Sequence, residues 1–120
     1  MEVEGVARVL HDGRYVEPAV RHGGKRINHM GLTALVELPG ESLLVLTSLR
    51  HPPFSLGALT CLGIRPEMQR VLVVKAAIAY KAAYGPVAGT IIEVETPGLT
   101  AVNPQRLNYH HIRRPLWPLG

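Results

Sequence analysis

At 120 residues, 47% hydrophobic and 18% charged, the chain has the size and composition of one folded domain with its own core, which excludes disorder and falls well short of a two-domain hydrolase. No apolar run approaches the roughly 20 residues of a membrane-spanning helix, and the start MEVEGVARV lacks the charged opening and apolar centre of a signal peptide, so a cytoplasmic protein without a membrane partner is expected. The formal charge of +4 raises nucleic acid as a partner, but the basic clusters at Arg21 to His29 and Arg106 to Arg114 carry no stacking motif, and one Trp, four Tyr and one Phe are scattered over the chain, which argues against it.

In chain order, Val3, Val6 and Val9 mark a first strand, His11 to Arg14 supplies an Asp-Gly turn, and Tyr15 to Val20 returns to complete a β-hairpin. Arg21 to Gly31, RHGGKRINHMG, then reads as a surface loop. Gly23 and Gly24 would suit a phosphate nest, but the Lys-Ser/Thr ending and the following helix of a P-loop are missing. Thr33 to Leu38 and Leu43 to Thr47 are two strands joined by Pro-Gly-Glu, a second hairpin.

The character of the chain then changes. Ser55 to Leu62 is a short helix, with Pro52 and Pro53 before it, Ser55 as N-cap and Gly63 as a left-handed stop. The single Cys61 forbids an internal disulfide and supplies no zinc cluster; its apolar helical setting is that of a buried, inert thiol. Val71 to Val74 lacks alternation, the mark of a strand covered on both faces, and Lys75 separates it from a helix over Ala76 to Tyr84 that stops at Gly85 and Pro86. Thr90 to Glu95 alternates Ile92 and Val94 with Glu93 and Glu95 as a half-exposed strand. The expected fold is therefore α/β: one domain, a mixed sheet with β-hairpins in the N-terminal half, and a βαβαβ unit over residues 43–95.

Right-handed crossovers make the three strands of such a unit parallel and bring their carboxyl ends to one edge. Thr47, Ser48, Arg50 and His51 then lie at the first strand end, Lys75 at the second and Thr96 to Thr100 at the third. A crevice there, with a helix N-terminus and Lys75, would suit a phosphate, sulfate or carboxylate. Two plainer readings stay open: a core lysine that brings its ammonium to the surface, and polar loops that cluster there because every strand end needs a loop.

Metal and nucleophile motifs are missing. His110 and His111 are sequence neighbours and point to opposite faces of an extended segment, and no His-x-Glu, His-Glu-x-x-His or Asp-x-His pattern occurs. No Gly-x-Ser-x-Gly elbow is present, and Ser48, Arg50 and His51 are too local to form a triad without a buried carboxylate. No catalytic residue and no metal ligand is assigned.

Segments in a fixed order together carry a family resemblance. Gly23-Gly24, MGLTALVEL at Met30 to Leu38, VLTSLRHPPFS at Val45 to Ser55, LGI at Leu62 to Ile64, the strand, lysine and helix of Val71 to Gly85 followed by Pro86 and Gly89 to Thr100, and RRPLWPLG at Arg113 to Gly120 resemble the C-terminal domain of the microcystinase C (MlrC) family of metallopeptidase-like proteins. The resemblance implies that zinc belongs to a larger N-terminal domain, absent from this chain, against which the C-terminal domain packs to complete the cleft. It matches Lys75 to the family's strand-end lysine, Arg50 to its Thr-Ser-x-Arg arginine, Met30 and Gly31 to its Met-Gly turn, and Arg114, Pro115, Pro118 and Leu119 to its closing tail. Ala76 stands where a serine usually follows the lysine, Leu32 where a proline follows Met-Gly, and Gly120 where the tail ends in aspartate.

Two functions follow. The resemblance implies an accessory domain of a zinc amidohydrolase or metallopeptidase, not expected to be catalytic alone, that meets a metal-binding N-terminal-type chain or a second copy of itself. Alternatively, the chain is a free-standing module without chemistry that binds a small anion, a peptide or a protein.

Overall fold

The computed structural model describes residues 2–19, 25–76, 78–96 and 103–119. The chain divides into two compact units, residues 1–89 and residues 90–120.

The first unit contains all the described strands: β1 (Val6–His11), β2 (Arg14–Val16), β3 (Ile27–His29), β4 (Thr33–Leu38) and β5 (Ser42–Thr47). They form a three-stranded sheet in the order β1-β4-β5 and a two-stranded sheet of β2 and β3, all antiparallel. Two short helices, α1 (Gly57–Thr60) and α2 (Tyr80–Tyr84), complete the α/β composition. The β4–β5 hairpin matches the expectation, and Gly40 and Glu41 turn it with φ of 79° and 60°. Glycine accepts that backbone region without the Cβ clash.

The first hairpin is corrected. The Asp-Gly turn does form, with Gly13 at φ 72° and the Arg14 N–H donating to Asp12 Oδ1 at 2.9 Å. The strands on either side nevertheless enter different sheets, because the Gly13 carbonyl accepts the Met30 N–H and ties the turn to the β3–β4 junction. β4, with its alternating Leu35 and Thr33, offers β1 a longer ladder than the three residues of β2. Arg8 occupies a β-bulge between Ala7 and Val9, and its guanidinium pairs with Glu37 on β4. Val20 and the Gly23-Gly24 loop lie outside the described residues.

One face of the larger sheet holds the core. Leu35 lies against Leu62 and Ile64, with Val9, Val45, Leu59 and Cys61 around them. A second cluster joins Tyr15, Met30 and Ala58, so the short α1 bridges both through neighbouring side chains. α1 is shorter than the expected Ser55 to Leu62 helix: Leu56, not Ser55, is its N-cap, the Ser55 hydroxyl accepts the Gly57 N–H at 2.9 Å in the turn that leads in, and Gly63 follows at φ 80° as expected. Cys61 is half-buried beside α1, and burial pushes its thiol above the usual range.

The βαβαβ unit over residues 43–95 is also corrected. Of its three expected strands only β5 joins a sheet. Val71 and Val73 are 77% and 95% exposed in a segment without a ladder, the reverse of a strand covered on both faces. The expected helix shrinks to α2, which begins at Tyr80, so no helix starts at Lys75. An apolar run such as Val71 to Val74 has high strand propensity, but propensity alone supplies no partner strand.

The second unit, residues 90–120, contains a single 3-10 turn, Pro104–Arg106, among its described residues. Asn103 Oδ1 caps it by accepting the Gln105 N–H at 3.0 Å. Ile92 and Val94 in the segment expected as a strand are exposed and carry no ladder; Pro97 to Thr100 lie outside the described residues. No helix among the described residues is long and apolar enough to cross a membrane.

Candidate functional site

Antiparallel pairing gives the larger sheet two faces, and only one is covered by α1. On the other, Leu10, Ala34 and Leu46 stand side by side in register across β1, β4 and β5. Leu10 is 80% exposed and Leu32, just before β4, is 78% exposed. They floor an open hollow of about 630 Å³ whose rim carries His11, Asp12, Thr33, Thr47 and Ser48. Contiguous apolar surface with a polar rim is the mark of a face meant to be covered.

The rim is held mainly by its own hydrogen bonds. Thr33 Oγ1 donates to the Gly31 carbonyl and Thr47 Oγ1 to the Leu49 carbonyl, both at 2.9 Å. His11 Nδ1 accepts the Gly13 N–H at 2.9 Å, so in the neutral ring the proton sits on Nε2. The Arg14 N–H holds the Asp12 carboxyl below its usual range. Ser48 keeps its hydroxyl uncommitted among the described residues.

A second polar constellation lies behind the other core cluster. Tyr15, only 8% exposed, places its Oη 2.8 Å from His51 Nε2, with the rings edge-on at 86°. The close packing rests on Gly57, since a Cβ there would come within 2.7 Å of Tyr15 Cδ2. Burial raises the Tyr15 phenol and lowers the His51 imidazole, so at neutral pH the phenol keeps its proton and the ring stays uncharged. Tyr84, whose Oη donates to the Ser55 carbonyl at 3.5 Å, is pushed up to about 12 by the same burial.

The sign of the His51 shift fixes a pH response. Its folded pKa lies below the roughly 6.5 of an unfolded histidine, so the unfolded chain gains the proton first on acidification. Stability contributed by the neutral ring is present above about pH 6.5 and is lost as pH falls through the folded value. Urea unfolding at pH 7 and pH 5.5 should show a drop in midpoint that is smaller in His51→Gln. An equal drop in both proteins would remove His51 from this role.

The residues singled out in the sequence thus separate. Thr47 and Ser48 reach the rim of the sheet hollow, whereas His51 turns to Tyr15. Arg50 and Lys75 are exposed, and neither makes a hydrogen bond or ion pair among the described residues. Tyr15, Leu10 and Leu46 escaped the sequence reading. The one available signal was the in-register alternation of the β4–β5 hairpin, which assigns Ala34 and Leu46 to the face opposite Leu35.

Zinc, which the resemblance assigns to a separate N-terminal domain, requires three or four ligands at one point. Among the described residues no three of His, Cys, Asp and Glu come together. His11 Nδ1 and Asp12 Oδ1, 3.4 Å apart, are a pair only, and Nδ1 is already an acceptor for Gly13. These residues do not fit a zinc ion.

The family model for the MlrC C-terminus matches residues 1–111. The chain belongs to the MlrC C-terminal family. No curated protein and no solved structure matches it. In this MlrC C-terminal domain the family's Met-Gly turn is structural: Met30 is 2% exposed in the core, and Gly31, at φ 71°, brings the chain against Ser48 and Leu49. In the closing tail, Arg114 Nη1 donates to the Leu119 carbonyl at 2.7 Å.

Proposed function

We infer that this domain is an accessory part of a microcystinase C-like zinc amidohydrolase or metallopeptidase, completing a substrate cleft and not catalytic alone. A metal-binding chain of the family's N-terminal type holds the zinc and its activated water. Alongside family membership, the observation that supports this reading most strongly is the open sheet face: Leu10, Leu32 and Leu46 form an apolar floor beside a rim of short polar side chains. Covering the floor would stabilise a complex by removing leucine surface from water, at roughly 25 cal/mol per Å². It would also bring the Ser48 hydroxyl and the His11 ring to the border of the shared cleft.

The reading is tested by replacing Leu46 with Asp. Its side chain is 50% exposed, so the isolated domain should fold with little change, while a desolvated carboxylate in the interface should weaken association about tenfold or more. Sedimentation with a zinc-loaded N-terminal-type chain, and of the domain alone for self-association, reads the effect. Equal association by wild type and Leu46→Asp would exclude this face.

A further inference from the structure

The Tyr15–His51 pair opens onto a small pocket that the hydrolytic reading leaves unused. Its described lining includes Tyr15, Glu17, Asn28, His51, Phe54 and Ser55, around a space of about 20 Å³. That volume admits one water-sized group and no more. Glu17 lies on the strand-side wall, and the N–H of Ala19 donates to its Oε1 at 3.4 Å. Its Oε2 is buried without a hydrogen-bond partner. A buried carboxylate oxygen requires a donor, and its lack of one calls for an explanation.

Some of the donors around the pocket are engaged within the fold. Asn28 Nδ2 donates to the Lys25 carbonyl at 2.8 Å, and the proton between Tyr15 Oη and His51 Nε2 is shared within that pair. The Ser55 hydroxyl accepts the Gly57 N–H. The buried atom left without a partner is Glu17 Oε2, an acceptor, with Tyr15 and Phe54 in the same lining. Water would satisfy the carboxylate oxygen but leave its negative charge without a counter-charge. A group with donors alone, a positive charge and the size of one water is a better complement, because aromatic faces attract cations as carboxylates do.

We propose that this pocket binds a primary ammonium group, the head of a small alkylamine, between Glu17 and the rings of Tyr15 and Phe54. The site stands apart from the sheet hollow and from the hydrolytic reading. Lys25 lies at the pocket, and its own ammonium is the competitor the experiment must separate.

The test titrates the full chain with methylammonium chloride and follows the His51 ring and Asn28 side-chain amide signals by NMR. Tetramethylammonium and sodium chloride at equal ionic strength are the controls. Saturable shifts with methylammonium alone are expected, with binding about tenfold weaker in Glu17→Gln and about threefold weaker in Phe54→Leu. The second variant keeps the test decisive if Glu17→Gln does not fold, and circular dichroism checks both. Lys25→Met should bind as tightly as wild type or more tightly. The proposal is overturned by the absence of a saturable shift, which leaves a water in the pocket, by equal shifts with tetramethylammonium, or by wild-type binding in a folded Glu17→Gln or Phe54→Leu. Binding seen only in Lys25→Met would show that the chain's own lysine fills the pocket, and would equally overturn it.

Discussion

Gly31→Ala is expected to destabilise the unit formed by residues 1–89 by about 3 kcal/mol. Two costs add. At φ 71° an L-residue with a Cβ pays about 1–2 kcal/mol relative to glycine. The new methyl would also overlap Ser48 Oγ and stand 2.8 Å from Leu49 Cγ and 3.0 Å from the Leu49 nitrogen, an overpacking worth roughly 1–3 kcal/mol. The surroundings cannot easily yield, because the Leu49 N–H donates to the Met30 carbonyl at 3.0 Å and the Ser48 N–H to the Leu32 carbonyl at 2.9 Å. Urea denaturation followed by circular dichroism measures the change. A loss below about 1 kcal/mol would mean that the Met-Gly turn is not built on a left-handed glycine.

Met30→Ala should cost a similar amount for a different reason. Met30 is 2% exposed and packs with Tyr15 and Ala58, where the β3–β4 junction meets α1. Removing its side chain forfeits transfer energy and leaves a cavity, together about 2–5 kcal/mol. Met30→Leu, close in volume, should cost less than about 1.5 kcal/mol. The comparison separates cavity from chemistry: equal losses for alanine and leucine would imply that the thioether, not the volume, fixes the site. The Tyr15–His51 bond should loosen only in the alanine variant, because Tyr15 rests on the same cluster.

The parts of this fold that the sequence reveals are those set by neighbouring residues. β4 and β5 are legible because Leu35 and Val45 alternate on either side of a Pro-Gly-Glu turn, and the existence of α1, though not its N-cap, because Ser55 and Gly63 bracket it. Longer-range choices are not. The Asp-Gly turn at Asp12 and Gly13 is real, yet nothing local says that β1 pairs with β4 while β2 pairs with β3. The run Val71 to Val74 has the composition of a buried strand, but burial depends on a covering layer that four valine and leucine residues cannot specify. For the same reason the site was only partly legible. Thr47 and Ser48 were found through the strand they end, whereas the Tyr15–His51 contact spans 36 positions and has no motif. Family resemblance, carried by motifs in fixed order, succeeded where pairing rules did not, since it needs no knowledge of which strands meet.

The central claim, an accessory domain that completes a metal-bearing partner's cleft, is tested most directly by one paired assay. Zinc content after dialysis and amide-hydrolysing turnover are measured on the purified chain, alone and with a zinc-loaded N-terminal-type chain of the family. The account predicts zinc well below stoichiometric and no turnover by the chain alone, then a rise in the partner's turnover of about tenfold or more on mixing, lost again with Leu46→Asp. Stoichiometric zinc with turnover by the chain alone, or a partner whose turnover ignores its presence, would contradict it.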